Sequence, residues 1–190
     1  AAFLQDSVSA GWGEDDIWEI AGRYSGEMGG FKLAAAAAYS VNMSDNTQPP
    51  LPPFTGFASK NSKYLQVGGY IEHVASGLFM HGAYGEEDNA DTLLNTGRVP
   101  DNGEHWYVKA GIRYKWLPLG HTIAFGEYTE YLDQLGPAAL AAGATGSEFT
   151  RWGGSMVQEI DSAAMSIWLK YRRYEADIAA PAAANLSHID

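Results

Sequence analysis

The basic residues form the clearest chemical pattern in this sequence, because they recur at alternate positions of short apolar stretches. Between Trp106 and Trp116, the odd positions include Lys109, Arg113 and Lys115, whereas the even positions are apolar or aromatic. Alternate side chains of a β-strand point to opposite faces. A lysine or arginine on a lipid-facing strand surface costs about 2–4 kcal/mol. The cationic face of this stretch must therefore border water.

Other stretches show the same period of two, with apolar residues on one parity and charged residues on the other. The charged residues expected to line a water-filled pore are Arg23, Lys109, Arg113, Lys115, Arg151, Lys170, Arg172, Glu19, Glu72 and Glu159. A wall that carries like charge biases which ions pass along it. An alternative interpretation is that these cations, and Lys32, pair with carboxylates such as Glu127 on neighbouring strands.

Aromatic residues lie near the ends of the alternating stretches. The residues expected at a membrane interface are Trp18, Trp106, Tyr114, Trp116, Trp152 and Tyr171. Tryptophan and tyrosine concentrate at such interfaces because their rings are amphipathic. In a soluble β-sandwich the same rings would fill the core, and the loop lengths favour the membrane interpretation.

The sequence gives little support for catalysis. It contains no cysteine, which excludes a thiol nucleophile and a thiolate metal site. It also contains no GxSxG motif, no P-loop and no dinucleotide-binding motif. Carboxylates are plentiful, but no pattern selects a pair for acid–base chemistry. We therefore expect no enzyme, with a carbohydrate-processing β-protein as an alternative.

Two acidic clusters and one pair of histidines are the candidate metal sites. Residues 14–16 and 86–91 carry carboxylates of the kind that bind Ca²⁺, but neither matches the spacing of an EF-hand. A solvated loop is the simpler interpretation of both. His73 and His81 fall on one predicted hairpin, although the sequence has no HExxH motif. We expect no cofactor, with Ca²⁺ at the acidic loops as the alternative.

Composition and charge exclude several classes of protein. The chain of 190 residues carries a net charge of -11 with only 12 lysines and arginines, which disfavours nucleic acid as a partner. The sequence has no run of about 18 apolar residues that could form a membrane-spanning helix. Its 13% aromatic residues and 22 glycines favour β-structure.

The period of two predicts an all-β fold of eight strands in one domain. The predicted strands are residues 17–27, 31–42, 64–74, 78–85, 105–117, 121–132, 149–160 and 164–174. Alanine content also allows a helix over residues 31–39, but the neighbouring strands favour a strand there. The orientation of residues 121–132 stays open, because Ile123 and Phe125 share a parity with Glu127.

Tight turns and long polar loops alternate between the predicted strands. The long loops are residues 43–63, 86–104 and 133–148. Tight turns at one rim and long loops at the other are typical of antiparallel up-and-down transmembrane β-barrels. Both ends of the chain would then lie at the long-loop rim. We therefore expect an internal piece of a larger barrel, or edges that pair with another chain, because open edges are costly in lipid.

Three stretches show the alternating pattern over most of their length: residues 64–85 (YLQVGGYIEHVASGLFMHGAYG), 106–128 (WYVKAGIRYKWLPLGHTIAFGEY) and 151–177 (RWGGSMVQEIDSAAMSIWLKYRRYEAD). They resemble the C-terminal half of alphaproteobacterial outer-membrane porins. The likeness covers roughly residues 17–178. It lies in the pattern of residues along the strands rather than in a catalytic signature. Those porins close with a strand that ends in an aromatic residue, whereas this chain ends in Ile189 and Asp190.

The resemblance implies a general diffusion porin of the Gram-negative outer membrane. Such a protein is a 16-stranded, trimeric β-barrel that conducts small hydrophilic solutes and ions passively, with lipids and lipopolysaccharide around it. The strands here would be about the eighth to the fifteenth, and the family's inward-folded loop would belong to the N-terminal half. The alternative is an eight-stranded barrel or sandwich that acts as a binding or adhesion module without solute flow.

Overall fold

The computed structural model describes residues 2–6, 15–44, 57–90, 93–94, 101–135, 139 and 143–180, and almost all of them lie in β-strands. The strands are β1 (Ala2–Asp6), β2 (Asp15–Met28), β3 (Phe31–Ser44), β4 (Phe57–His73), β5 (Leu78–Asp88), β6 (Leu93–Leu94), β7 (Gly103–Leu117), β8 (Gly120–Leu132), β9 (Gly146–Ile160) and β10 (Met165–Ala179). A 3₁₀ turn (Asp161–Ala163) connects the last two strands. Among these residues no helix is both long and apolar enough to cross a membrane.

One antiparallel sheet holds the strands in the order β1-β2-β3-β4-β5-β7-β8-β9-β10, and the short β6 pairs with β4. Each of the eight long strands pairs with the next long strand along the chain. This confirms the predicted antiparallel, up-and-down, all-β fold. The sheet is open, because within the described residues β1 and β10 are its two edges and do not pair with each other.

The strands are longer than the alternation of residues predicts. β4 begins at Phe57 rather than at residue 64, and β10 continues to Ala179 rather than to 174. The backbones of these extensions pair with β3 and β9 beyond the apolar stretches. The short strands β1 and β6 lie where no strand is predicted. The alternative of a helix over residues 31–39 is wrong, because β3 runs unbroken through them.

Glycines close the tight turns. Gly29 and Gly30 between β2 and β3 have φ of 59° and 80°, and Gly77 before β5 has φ of 69°. Residues with a Cβ avoid this left-handed region, and a two-residue hairpin loop of type I′ requires it at both positions. Each turn fixes the register of its hairpin, and with it the face to which every side chain points.

The register divides the side chains of the long strands between two faces. We call the face that carries Trp18, Trp106 and Trp152 the apolar face, and the face that carries Lys109 and Glu127 the polar face. Directly paired residues share a face. Each pairing therefore extends the assignment from one strand to the next across the whole sheet.

The described part of the sheet has almost no hydrophobic core. Its buried apolar residues are Val41, Phe79 and Ala144, whereas its buried polar residues are Ser62, Glu72, Thr122, Glu127, Thr129 and Ser155. Most of the exposed large apolar side chains lie on the apolar face, where Leu169 is 79% exposed. The extensive contacts of each described strand are with the strands that it pairs with. A soluble sheet buries one face against a second layer, and here the apolar face is left uncovered.

Candidate functional site

Aromatic rings form two rows across the apolar face. The ring pairs of the row on the long-loop side, with centroids 4.8–6.1 Å apart, are Trp18–Tyr39, Trp106–Tyr128 and Trp152–Tyr171. On the short-turn side, the rings of Tyr114 and Trp116 lie 6.3 Å apart. The register places Trp18, Trp106, Tyr114, Trp152 and Tyr171 on the apolar face. Trp116 follows a register shift of β7 after Tyr114, and its ring contact with Tyr114 assigns it to the same face.

The two rows enclose a band without charge. Trp106 and Trp116 lie on one strand, and at about 3.3 Å per residue the rings are about 33 Å apart along it. Between them, the apolar face of β7 carries Val108, Ala110 and Ile112. Within the described residues, no charged side chain of the apolar face falls between the rows.

Carboxylates lie on the apolar face just beyond the long-loop row of rings. They are Glu86, Glu104, Glu130, Glu148 and Glu175, each of which lies two to four residues beyond an aromatic ring on its own strand. The Trp106 indole N–H donates to the Glu130 carboxylate at 2.6 Å. Arg173 pairs with Glu175 at 2.8 Å. The apolar face therefore ends in a polar margin at the long loops.

The register resolves the orientation of β8. Glu127 lies opposite Lys109 of β7 and opposite Gly153 of β9, on the polar face. Ile123 and Phe125 therefore lie on the polar face as well, although they are apolar. The Lys109 ammonium lies over the Phe125 ring, 4.3 Å from its centroid, which is a cation–π contact. Phe125 thus supports a charge on the polar face.

Near the short turns, the cations of the polar face are neutralised by carboxylates. Arg113 donates to Glu159 at 3.0 Å, and His121 lies 3.3 Å from the same carboxylate. Lys115 lies 3.5 Å from Asp161. These are ion pairs of the kind that the alternative interpretation of the cations predicts. Arg113 and Glu159, however, belong to β7 and β9, which are separated by β8.

At mid-height, the polar face carries four cations around one carboxylate. We call Lys109, Arg151, Lys170, Arg172 and Glu127 the basic patch. They occupy neighbouring rows of β7, β8, β9 and β10. Glu127 is 8% exposed and lies in the electrostatic field of the other charges. Four cations and one carboxylate leave a formal surplus of three positive charges.

The Arg172 guanidinium reaches across a glycine to Glu127. Arg172 is on β10 and Glu127 is on β8, and the residue paired with both on β9 is Gly153. The Arg172 Nε lies 2.5 Å from Glu127 Oε1, a charge-assisted hydrogen bond. No side chain at Gly153 separates the two groups. A Cβ there would also meet the backbone of Tyr171 and Arg172, so only glycine fits.

The remaining cations of the basic patch are held differently. Arg151 Nη2 donates to Thr129 Oγ1 at 2.9 Å, and Thr129 is 1% exposed. The Nε of Arg151 is buried without a hydrogen-bond partner in the described part of the chain. Ion pairs join Lys32 to Glu72 and Lys115 to Asp161. Lys109 and Lys170, by contrast, form no ion pair with a carboxylate of the described residues.

A ladder of rings crosses the polar face near the long loops. Its members, with adjacent centroids 5.6–6.0 Å apart, are Tyr64, His105, Tyr131, Phe149 and Tyr174. Gly85 of β5 leaves the space into which the His105 ring projects. The Tyr64 hydroxyl lies 3.3 Å from His105 Nδ1. The alternation of residues does not predict this ladder, because its rings share the parity of the charged residues.

At mid-height, the polar face of β2 to β5 has a floor of small residues. The floor consists of Ala21, Ala34, Ala36, Ala38, Gly68 and Ala83, with the larger Gln66, Tyr70 and His81 beside it. Two depressions of about 430 and 330 Å³ lie over this floor, and Arg23 borders both. Toward the short turns, Lys32 lies 3.4 Å from Glu72, and the Tyr70 hydroxyl donates to the same carboxylate.

The predicted metal ligands are separated or fall outside the described residues. His73 lies on the apolar face and His81 on the polar face, so the hypothesis of a metal shared by them is wrong. In the described ranges, no group of three or more histidines and carboxylates could hold a metal ion. Glu14 and Asp91 of the acidic clusters lie outside those ranges.

All the charged residues predicted to line a pore share the polar face. The structure brings Lys109, Arg151, Lys170 and Arg172 together, and it separates them from Glu19 and Arg23 of β2. Comparison with known proteins adds no relative, because no family model, curated protein or solved structure matches the chain.

Proposed function

We propose that this chain is part of an outer-membrane porin, a transmembrane β-barrel through whose water-filled lumen small hydrophilic solutes and ions diffuse passively. The supporting observation is the distribution of side chains: the apolar face is exposed and carries no charge in the band between its aromatic rings, whereas the opposite face carries charges at the same height. Lipid favours apolar side chains on the outside of a barrel, and water favours polar ones inside it. The proposal includes no catalytic group and no cofactor.

The dimensions of the apolar face support this proposal. Strands of membrane barrels tilt by about 40°, and their apolar belts are about 25 Å tall between aromatic girdles. The rings of Trp106 and Trp116 lie about 33 Å apart along their strand. A tilt of about 40° converts this distance to a height of about 25 Å.

The open edges of the sheet require partners in a bilayer. Unpaired backbone N–H and C=O groups are costly in hydrocarbon, and the described sheet leaves β10 with one unpaired side. We propose that strands outside these 190 residues close the barrel, to a total of 16 strands. The assembled protein would be a homotrimer.

The long-loop rim is proposed to face the outside of a Gram-negative cell. Membrane barrels place their long loops there and their short turns in the periplasm. The carboxylates beyond the outer row of rings, such as Glu104 and Glu130, would then lie at the level of the lipopolysaccharide head groups. The partners of the protein would be lipids, lipopolysaccharide and the solutes themselves.

The first test is planar-bilayer recording on the protein extracted from its membrane. We expect stepwise conductance increments and a trimer that resists detergent and dissociates on heating. A soluble monomer without conductance would contradict the proposal and would favour the small binding or adhesion module. Heat-denatured protein from the same preparation is the control for conductance by contaminants.

A further inference from the structure

We infer that the basic patch is a binding site for small anions on the wall of the proposed channel. The inference rests on the proposed function, and it assigns a class of solute to Lys109, Lys170, Arg151 and Arg172. Anions would bind transiently at mid-height, between the neutralised level near the short turns and the ring ladder near the long loops.

The first support is the position of the charge surplus. Near the short turns, the cations of β7 face Glu159 and Asp161 within 3.5 Å. Near the long loops, the ladder consists of rings. The surplus of three positive charges is thus confined to the basic patch, in a chain whose net charge is -11.

The second support is the set of N–H donors that the protein leaves unused. The Arg172 Nε donates its hydrogen bond to Glu127, and one Nη of Arg151 donates to Thr129. Lys109 rests on the Phe125 ring, which accepts no conventional hydrogen bond from it. Lys109 and Lys170 form no ion pair with a described carboxylate. Ammonium and guanidinium donors form strong, short hydrogen bonds with anionic oxygens.

The third support is the single counter-charge inside the patch. Glu127 is almost fully buried, and Arg172 reaches it across Gly153. This arrangement holds Arg172 along the wall, and it neutralises only one of the four cations. An anion approaching from the water side would therefore meet the uncompensated charges rather than the carboxylate.

The test compares two double variants in planar bilayers, using chloride as the anion. Lys109→Gln/Lys170→Gln removes the unpaired cations of the patch. Lys32→Gln/Arg173→Gln removes the same charge from cations that already pair with carboxylates, and it is the matched control. Two measurements are made on each protein: the reversal potential in a KCl gradient, and single-channel conductance as a function of KCl concentration.

We expect the patch variant to lower the permeability ratio of chloride to potassium by about two-fold for each charge removed, as for charges about 8 Å from the ions in water at about 0.1 M salt, because each charge acts on the two ions in opposite senses. Wild-type conductance should saturate with KCl concentration, whereas that of the patch variant should rise more nearly linearly. The control variant should resemble the wild type.

Equal effects of both double variants, or no effect of the patch variant, would overturn the anion site while leaving the proposed channel intact. Absence of conductance in the wild type would instead overturn the proposed function, and this inference with it.

Discussion

Glu127 is the residue on which the basic patch depends, because it is the one carboxylate among four cations. Replacing it by glutamine keeps the shape but removes the charge that binds Arg172. A hydrogen bond to a charged group contributes about 1.5–3 kcal/mol. We therefore expect Glu127→Gln to lower the temperature at which the folded band converts to the unfolded band on detergent gels. The exposed Glu19 provides the control Glu19→Gln, and a similar loss in both variants would contradict a special role for Glu127.

Gly153 gives a second prediction at the level of single residues. Gly153→Ala places a Cβ against the backbone of β10, so it should weaken the pairing of β9 with β10 and lower the unfolding temperature. Gly22→Ala is the matched control, because a Cβ at Gly22 meets nothing within 4 Å. Where the backbone accepts it, alanine in place of glycine stabilises by about 0.4–1 kcal/mol. Equal unfolding temperatures for the two variants would refute this account of Gly153.

Sequence patterns predict the face on which a residue lies, but not its partner. The period of two places Arg172 and Glu159 on the charged side without naming a contact. The structure pairs Arg172 with Glu127, 45 residues away and two strands across. That contact depends on a glycine between them and on a register set by two hairpins. Neither condition is visible in the local alternation of residues.

The two faces of β3 provide a test at the level of elements. Ala35 and Ala36 are adjacent, exposed and identical, yet they lie on the apolar and the polar face respectively. If the apolar face borders lipid as proposed, an arginine on it costs about 2–4 kcal/mol, whereas one on the polar face is hydrated. We expect Ala35→Arg to reduce the amount of folded protein in the membrane fraction and Ala36→Arg to leave it near wild type. Equal yields of the two variants would contradict the assignment of the faces.

The ends of the strands are the elements that sequence alone misplaces. The apolar alternation predicts the part of each strand that would lie within a hydrocarbon layer. β4 continues to Phe57 and β10 to Ala179, where the sequence no longer alternates regularly between apolar and polar residues. A period of two therefore cannot predict these ends. Phe125 is the converse case, because its ring lies under a cation rather than against lipid.

At the scale of the whole molecule, tryptophan fluorescence distinguishes the two surfaces. Trp116 and Trp168 are both exposed and lie near the short turns. Trp116 contacts Tyr114 of the apolar face, whereas Trp168 lies on the polar face. In single-tryptophan variants, we expect brominated lipid chains to quench Trp116 strongly and Trp168 weakly. Aqueous iodide should give the opposite order. The same order for both quenchers would contradict a lipid-facing apolar side.

The sequence also predicts the topology of the whole sheet, since hairpin turns and long loops alternate in it. What it does not predict is the uneven polar face, with the basic patch on one half and bare alanines on the other. Those two halves come from strands with the same period, and they differ only in the size and charge of alternate residues. Their arrangement follows from the order of the strands in the sheet.

The bare floor of β2 to β5 limits how the proposed channel could change during evolution. Ala36, Ala38 and Gly68 are among the smallest residues available, so substitutions there add volume and narrow the passage. On β7 to β10, shortening a large side chain such as Phe125 or Arg172 would widen the proposed passage. Each of these two changes would also remove a cation of the basic patch or the ring beneath one. At these positions, the width of the proposed passage and its preference for charge would therefore change together.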